Sequence, residues 1–193
     1  MNESPVGCWT NHHSLVEFQG EWYLFYHHND YSPDFDKNRS VRIDKVRFND
    51  DGTIQQVMPT LRGVGNTPAT SRIQLDRYTA ISPIGTSIDF LNPRDTFQGW
   101  YLSLSRGGTW VTYHRVNFTT PVNQVVLRMR TSGCVLSISS GSQKEIARME
   151  THKSADTWTD FTIPLEDTDI HGIQNLRVSL LSGKADIDWI SFR

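Results

Sequence analysis

Trp9-Thr10-Asn11-His12-His13-Ser14-Leu15-Val16-Glu17-Phe18-Gln19-Gly20-Glu21-Trp22-Tyr23-Leu24-Phe25-Tyr26-His27-His28 is the stretch whose reading decides the fold class. Leu15–Phe18 and Trp22–Tyr26 are runs of aliphatic, β-branched and aromatic residues, and Gln19-Gly20-Glu21 between them supplies a turn glycine. The pattern predicts a β-hairpin. The polar cluster from Thr10 to Ser14 stands at its open end, where a sheet delivers side chains to a site. From the residues alone, His12 and His13 fit an ordinary polar turn as well as a ligand pair.

The rest of the chain keeps the same texture. Its 193 residues could fill one large domain or two small ones, and either could bury a core. With 21% charged residues and a net charge of −2, there is no basic stripe to argue for nucleic acid. No apolar run is long enough to span a membrane. Short apolar runs alternate with Gly, Ser, Thr, Asn and Asp, and no long stretch keeps a helical period, which predicts an all-β protein. Cys8 and Cys134 lie far apart in sequence, so a disulfide between them stays open. Met1–Pro5 has neither the basic start nor the apolar core of a signal peptide. Asn38-Arg39-Ser40 and Asn117-Phe118-Thr119 fit the short glycosylation sequon.

Taken in order, Asn29–Asn38 is dense in turn formers. Val41, Ile43 and Val46, with Arg42, Asp44 and Lys45 between them, predict a half-buried strand. Asn49-Asp50-Asp51-Gly52 predicts a turn, and Thr53–Val57 a last short strand. Pro59–Ala69 holds two prolines and two glycines without periodicity, which places a boundary at residues 64–70. The expected organisation is therefore 1–63, a linker 64–70, and a second unit 71–193. Strands in that unit are predicted at Arg72–Leu75, Ser87–Phe90, Trp100–Leu104, Trp110–Phe118, Asn123–Thr131, Val135–Ser139, Glu145–Glu150, Trp158–Pro164, Gly172–Leu181 and Ala185–Phe192. Many short strands between turns indicate a β-sandwich.

The opening stretch resembles the final blade of the five-bladed β-propeller of glycoside hydrolase family 43, which contains arabinofuranosidases, β-xylosidases and arabinanases. Lys37–Arg42 and Asn49–Gln55 continue the likeness in order. The second unit resembles a family 6 carbohydrate-binding module, a jelly-roll β-sandwich. Ile73-Gln74-Leu75-Asp76-Arg77-Tyr78 is similar to that family's first strand, Gly108–Phe118 to its Gly-Asp-Trp motif, and Ala185–Phe192 to its last strand. The implied fold class is all-β: a partial propeller blade followed by a jelly-roll sandwich.

The resemblance implies sites. Sugars offer hydroxyls and apolar C–H faces, so their sites pair a flat aromatic with fixed polar groups. Trp158, with Phe161 three residues on, matches the motif whose first aromatic enters the ligand cleft; it could also be the buried start of a strand. Asp186 stands where the family has a sugar-binding Asn, and could equally be a turn residue. The second stacking aromatic of the family falls near Leu104 or Ser105 here, a departure. Trp100 and Tyr101 could substitute, although core packing is the plainer role for them. Gln74, Asp76 and Asp188 match a structural calcium site between the first and last strands, and hard oxygen ligands suit calcium; polar groups facing solvent are the alternative. In the propeller part, His12 aligns with a histidine approaching a central metal ion or its waters. Arg39 aligns with an arginine that reaches the substrate, and could be a solvated loop charge.

Glycoside hydrolysis needs two positioned carboxyls, and in family 43 they sit on earlier blades, with no matching motif before Asn11. The chain is therefore expected to be the carboxy-terminal portion of an extracellular or periplasmic inverting glycosidase acting on xylan or arabinoxylan, inactive by itself, with the remaining blades upstream. The alternatives are a non-catalytic carbohydrate-binding protein and an interaction sandwich without a sugar ligand.

Overall fold

In the computed structural model, residues 12–28, 40–141, 144–152 and 155–193 are described. Arg39, Cys8 and the polar residues Thr10 and Asn11 lie outside them, so the expectations placed on those positions have no structural counterpart here. The chain divides into two compact units, Met1–Val64 and Gly65–Arg193.

The first unit is a three-stranded antiparallel sheet in the order β1 (His13–Phe18), β2 (Glu21–His28), β3 (Ser40–Val46). Phe18 pairs with Glu21, so the hairpin closes over two residues. Gln19 and Gly20 have φ of 53° and 76°. Two successive positive values define the tight turn whose twist matches that of the strands it joins. Gly20 meets that demand without steric cost; Gln19 accepts some strain. Beyond β3, only an isolated bridge between Phe48 and Ile54 forms where a strand over Thr53–Val57 was expected.

β3 reverses the expected burial. Val41 is 82% exposed, whereas Arg42 and Asp44 are buried together with Val46. The reason is a polar clasp. Asp44 accepts hydrogen bonds from the Tyr26 hydroxyl (2.6 Å), the Thr60 hydroxyl (2.7 Å) and the Thr60 amide (3.2 Å), and Gly63 N–H donates back to Thr60 Oγ1. Burial, reinforced by the Asp44 carboxylate, raises the Tyr26 phenol far above its ordinary value, with Arg42 pulling the other way. Asp44 thus fastens residues 60–63 beneath the sheet. Asp44→Ala would leave the Tyr26 and Thr60 donors in a half-buried setting without their acceptor, at a cost of about 2 kcal/mol. Limited proteolysis should then cut near Thr60 sooner than in the wild type, and Asp44→Asn, which keeps an acceptor, should recover part of the difference.

The second unit is built around two long bent strands, β10 (Gln124–Ser140) and β13 (Gly172–Phe192), where the sequence suggested two shorter strands in each place. The remaining strands are β4 (Thr67–Pro68), β5 (Ile73–Gln74), β6 (Ala80–Ile81), β7 (Thr86–Phe90), β8 (Trp100–Leu104), β9 (Trp110–Phe118), β11 (Lys144–Thr151) and β12 (Ala155–Pro164). Val125–Thr131 of β10 pairs with β12 on one side and with Ala185–Phe192 of β13 on the other. The same part of β13 reaches β8 and β5, and β8 pairs with β7. Cys134–Ser139 of β10 pairs with β11 and with Arg177–Gly183 of β13. The amino-terminal half of β13 continues to β9, which carries β6 and β4. Each long strand thus passes from one layer to the other, and the register shifts between Thr131 and Cys134. The core between the layers includes Leu102, Leu104, Val116, Phe118, Leu127, Met129, Leu136, Ile138, Val178, Leu180 and Phe192. This is an all-β chain of the expected architecture.

Residues 64–70, expected as a linker, are largely part of this unit. Thr67–Pro68 pairs in parallel with β9. Ala69 is buried in the core, donates to Asn117 O and accepts from Phe192 N–H. Two bulges interrupt the simple alternation of inward and outward residues. In β9, Val111 and Tyr113 point inward, then Arg115 adopts φ 61°, and Val116 and Phe118 point inward instead. In β13, Arg128 pairs with Trp189 while Met129 pairs with Ile187, so Asp188 is the extra residue.

Candidate carbohydrate-binding site

The outward face of the layer β12–β10–β13–β8 carries a compact constellation. Arg130 on β10 lies opposite Asp186 on β13, which in turn lies opposite Ser103 on β8. Arg130 Nη2 bonds Asp186 Oδ2 at 2.9 Å. Its guanidinium also lies 4.5 Å from the Trp158 ring centroid and 5.0 Å from that of Tyr101. Those two rings meet edge to face at 5.3 Å. Each is partly exposed. Burial and the Asp186 and Asp89 charges raise the Tyr101 phenol, which Arg130 opposes, so Tyr101 is a neutral hydroxyl at ordinary pH. A cavity of about 300 Å³ opens beside this group, lined by Ser103, Arg130, Thr131, Ser132, Asp156, Lys184, Ala185 and Asp186. Its lining combines hydroxyls, two cations and two carboxylates, groups that can donate to and accept from sugar hydroxyls, and Arg130 links it to the aromatic pair.

Trp158 and Asp186 are thus brought together. Leu104, at the position where the sequence departs from the family's second aromatic, is fully buried, and Tyr101 is the ring that meets Trp158. Trp100 instead packs on Phe90, with centroids 3.9 Å apart. Arg130 was not singled out from the sequence. Its signal was there: Arg128-Met129-Arg130 is a strand with cations on alternate positions, facing Asp186-Ile187-Asp188. Arg128 completes the pattern, with Nε 3.3 Å from Asp188 Oδ2 and Nη1 3.3 Å from Asp160 Oδ1.

Gln74 on β5 pairs with Trp189, the neighbour of Asp188 on β13, whereas Asp76 lies in the turn just past β5 rather than on the same strand face as expected. Asp76 and Asp188 are both buried. Burial pushes the Asp76 carboxyl up to about 6; Arg77 draws it down and the charge of Asp188 pushes it further up. Burial also raises Asp188, against the pull of Arg128 and Arg72. Among the described residues no group of three or more His, Cys, Asp or Glu side chains could hold a metal. A cation here would rest on two carboxylates and an amide oxygen, which is hard-donor chemistry of the calcium type. His12 is exposed, its ring 5.9 Å from that of His27. Cys134 is a free, buried thiol.

A stretch of 55 residues is 46% identical to the xylosidase/arabinosidase 43A of Humicola insolens, covering 28% of this chain and 17% of that protein. The solved family 43 arabinoxylan arabinofuranohydrolase of Bacillus subtilis, in complex with cellotetraose, superposes over 95% of this chain and 40% of its own, with TM-score 0.62 and 20% identity. The first part of the chain is thus similar in sequence to a short piece of xylosidase/arabinosidases, about a sixth of their length, and the whole chain shares the fold of the carboxy-terminal part of such an enzyme. For the sandwich the likeness is one of fold. A family 6 carbohydrate-binding module of Clostridium cellulolyticum, solved with xylose, covers 66% of this chain and 99% of its own, with TM-score 0.56 and 18% identity. No family model matches the chain. Against the family 6 reading, the sandwich keeps Trp158 but lays Arg130 across it. The first unit is a three-stranded sheet with apolar side chains open to solvent on both faces, Phe18 and Trp22 among them.

Proposed function

We propose that the sandwich binds plant cell-wall polysaccharide of the xylan or arabinoxylan kind and serves a family 43 arabinofuranosidase or β-xylosidase acting outside the cell or in the periplasm. The observation that supports this reading is the grouping of Trp158, Tyr101 and Asp186 around Arg130, which with Asp186 lines a cavity that holds both donors and acceptors. The aromatic pair offers the apolar half of a sugar site, while Asp186 accepts and Arg130 donates. Arg39 and His12 are the positions in the first unit proposed to face substrate and a central ion in the complete enzyme. Gln74, Asp76 and Asp188 are proposed to hold a structural calcium ion in the sandwich, tying the first strand to the last. Its role would be to bridge two buried carboxylates that otherwise repel.

Calorimetric titration with xylo-oligosaccharides and arabinoxylan tests the reading. The wild type should bind saturably, and Trp158→Ala should weaken binding by more than about tenfold while leaving thermal unfolding nearly unchanged. A wild type that binds none of these glycans overturns the reading.

A further inference from the structure

Asp160, Arg128, Trp189 and Gln74 stand side by side in one row across β12, β10, β13 and β5. Residues paired in register share a face of the sheet, so the row sets a guanidinium beside Gln74 with only Trp189 between them. The bulge in β13 brings in a further group. Asp188 is the extra residue between the Arg128 and Met129 positions, and Arg128 Nε lies 3.3 Å from its Oδ2. Arg72 lies over the same tryptophan, its Cζ 5.0 Å from the ring centroid.

The two buried carboxylates proposed as calcium ligands therefore already have positive charge at hand. Burial is the largest influence on both; against it, Arg128 and Arg72 draw Asp188 down and Arg77 draws Asp76 down. Arg128 holds a second carboxylate as well, with Nη1 3.3 Å from Asp160 Oδ1. The Asp160 side chain is 46% exposed and that of Asp188 only 10%. One guanidinium thus spans an acid that water solvates and an acid that burial strips of water. A calcium ion drawn to Asp188 would bring two charges close to that guanidinium, and like charges repel most where water is scarce. Asp160 gives Arg128 a place to go without leaving its row.

We propose that Arg128 is a built-in cation that competes with calcium for Asp188. Without the metal it holds Asp188; with the metal bound it moves to Asp160. This inference rests on the calcium reading of Gln74, Asp76 and Asp188. It adds the residue that sets how tightly the ion is held, and it accounts for a buried Asp188 that is tolerated when no metal is present.

The test is calorimetric titration of calcium chloride into the full chain after treatment with chelator. Arg128→Gln should bind calcium about tenfold more tightly than wild type, the worth of one hydrogen bond to a charged group. In chelator it should unfold at a lower temperature than wild type, and calcium should close the gap. Arg128→Lys, which keeps the charge but not the fork, should fall between the two. If Arg128→Gln does not fold without calcium, Asp160→Asn decides the matter. It leaves Asp188 as the carboxylate that Arg128 must hold, and should weaken calcium binding about threefold. Asp156→Asn, which removes the same charge elsewhere on β12, should not. Binding by Arg128→Gln where the wild type shows none supports the competition. Equal affinity in wild type and Arg128→Gln, or in wild type and Asp160→Asn, overturns it while the calcium site stands. Calcium binding by none of these chains overturns both.

Discussion

Gly183→Ala should cost the sandwich a large share of its stability. A Cβ on Gly183 would fall 2.1 Å from the Gly133 carbonyl oxygen and 2.8 Å from Cys134 Cα, both backbone atoms that cannot swing aside. Its φ of 81° already lies where side chains are unfavourable, by about 1–2 kcal/mol. The overlap adds to that strain, because relieving it would pull β10 and β13 apart where they cross between layers. The sum should exceed about 4 kcal/mol, a large share of what holds a domain of this size. Gly108 supplies the control. It has φ 90°, but a methyl group added there would meet nothing within 4 Å, so Gly108→Ala should cost only the conformational part. Urea unfolding of the two variants beside wild type measures the difference; equal midpoints would mean that the crossing is not close-packed.

The second large effect is linked to pH. Asp76 has a folded-state value of about 6 against an ordinary 3.8, chiefly because it is buried. The folded chain therefore holds this proton more tightly than the unfolded one. The contribution of neutral Asp76 is complete below about pH 4 and is lost as pH rises through 6, amounting to roughly 3 kcal/mol by pH 7. In calcium-free buffer the sandwich should thus lose stability between pH 4 and pH 7, and Asp76→Asn should flatten that slope. Calcium held by Asp76 and Asp188 would favour the ionised carboxyls, so adding it should raise the unfolding temperature more at pH 7 than at pH 5. Asp188→Ala should remove the calcium effect. Thermal scans at the two pH values, with calcium and with chelator, decide this; a wild type whose slope matches Asp76→Asn would remove Asp76 as its source.

Much of this was legible in the residues. The hairpin turn at Gln19-Gly20 and the run of short strands beyond it follow from local patterns that tertiary structure did not overrule. Three things did not follow. Arg42 and Asp44 looked like the outer face of β3 because charge normally faces water; the hydrogen bonds from Tyr26 and Thr60 that make Asp44's burial tolerable come from elsewhere in the chain. The inward sets of β9 and β13 could not be carried through by alternation, since single extra residues at Arg115 and Asp188 exchange the faces. Arg130 was hidden because a cation in a strand reads as a solvated edge until its opposite number, Asp186, is known to be its neighbour in register.

The placement of β13 bears on how the sandwich comes into being. Its hydrogen-bonded neighbours, β5, β8, β9 and β10, all precede it in the chain. During synthesis each of them leaves the ribosome with an open edge and apolar residues that have nothing to close on. Ile73 must wait for Ile190, and Leu104 on β8 for Ala185. Loops of such length close late and slowly. The nascent sandwich therefore depends on β13 to become a body at all, and until then its apolar faces stay open to association.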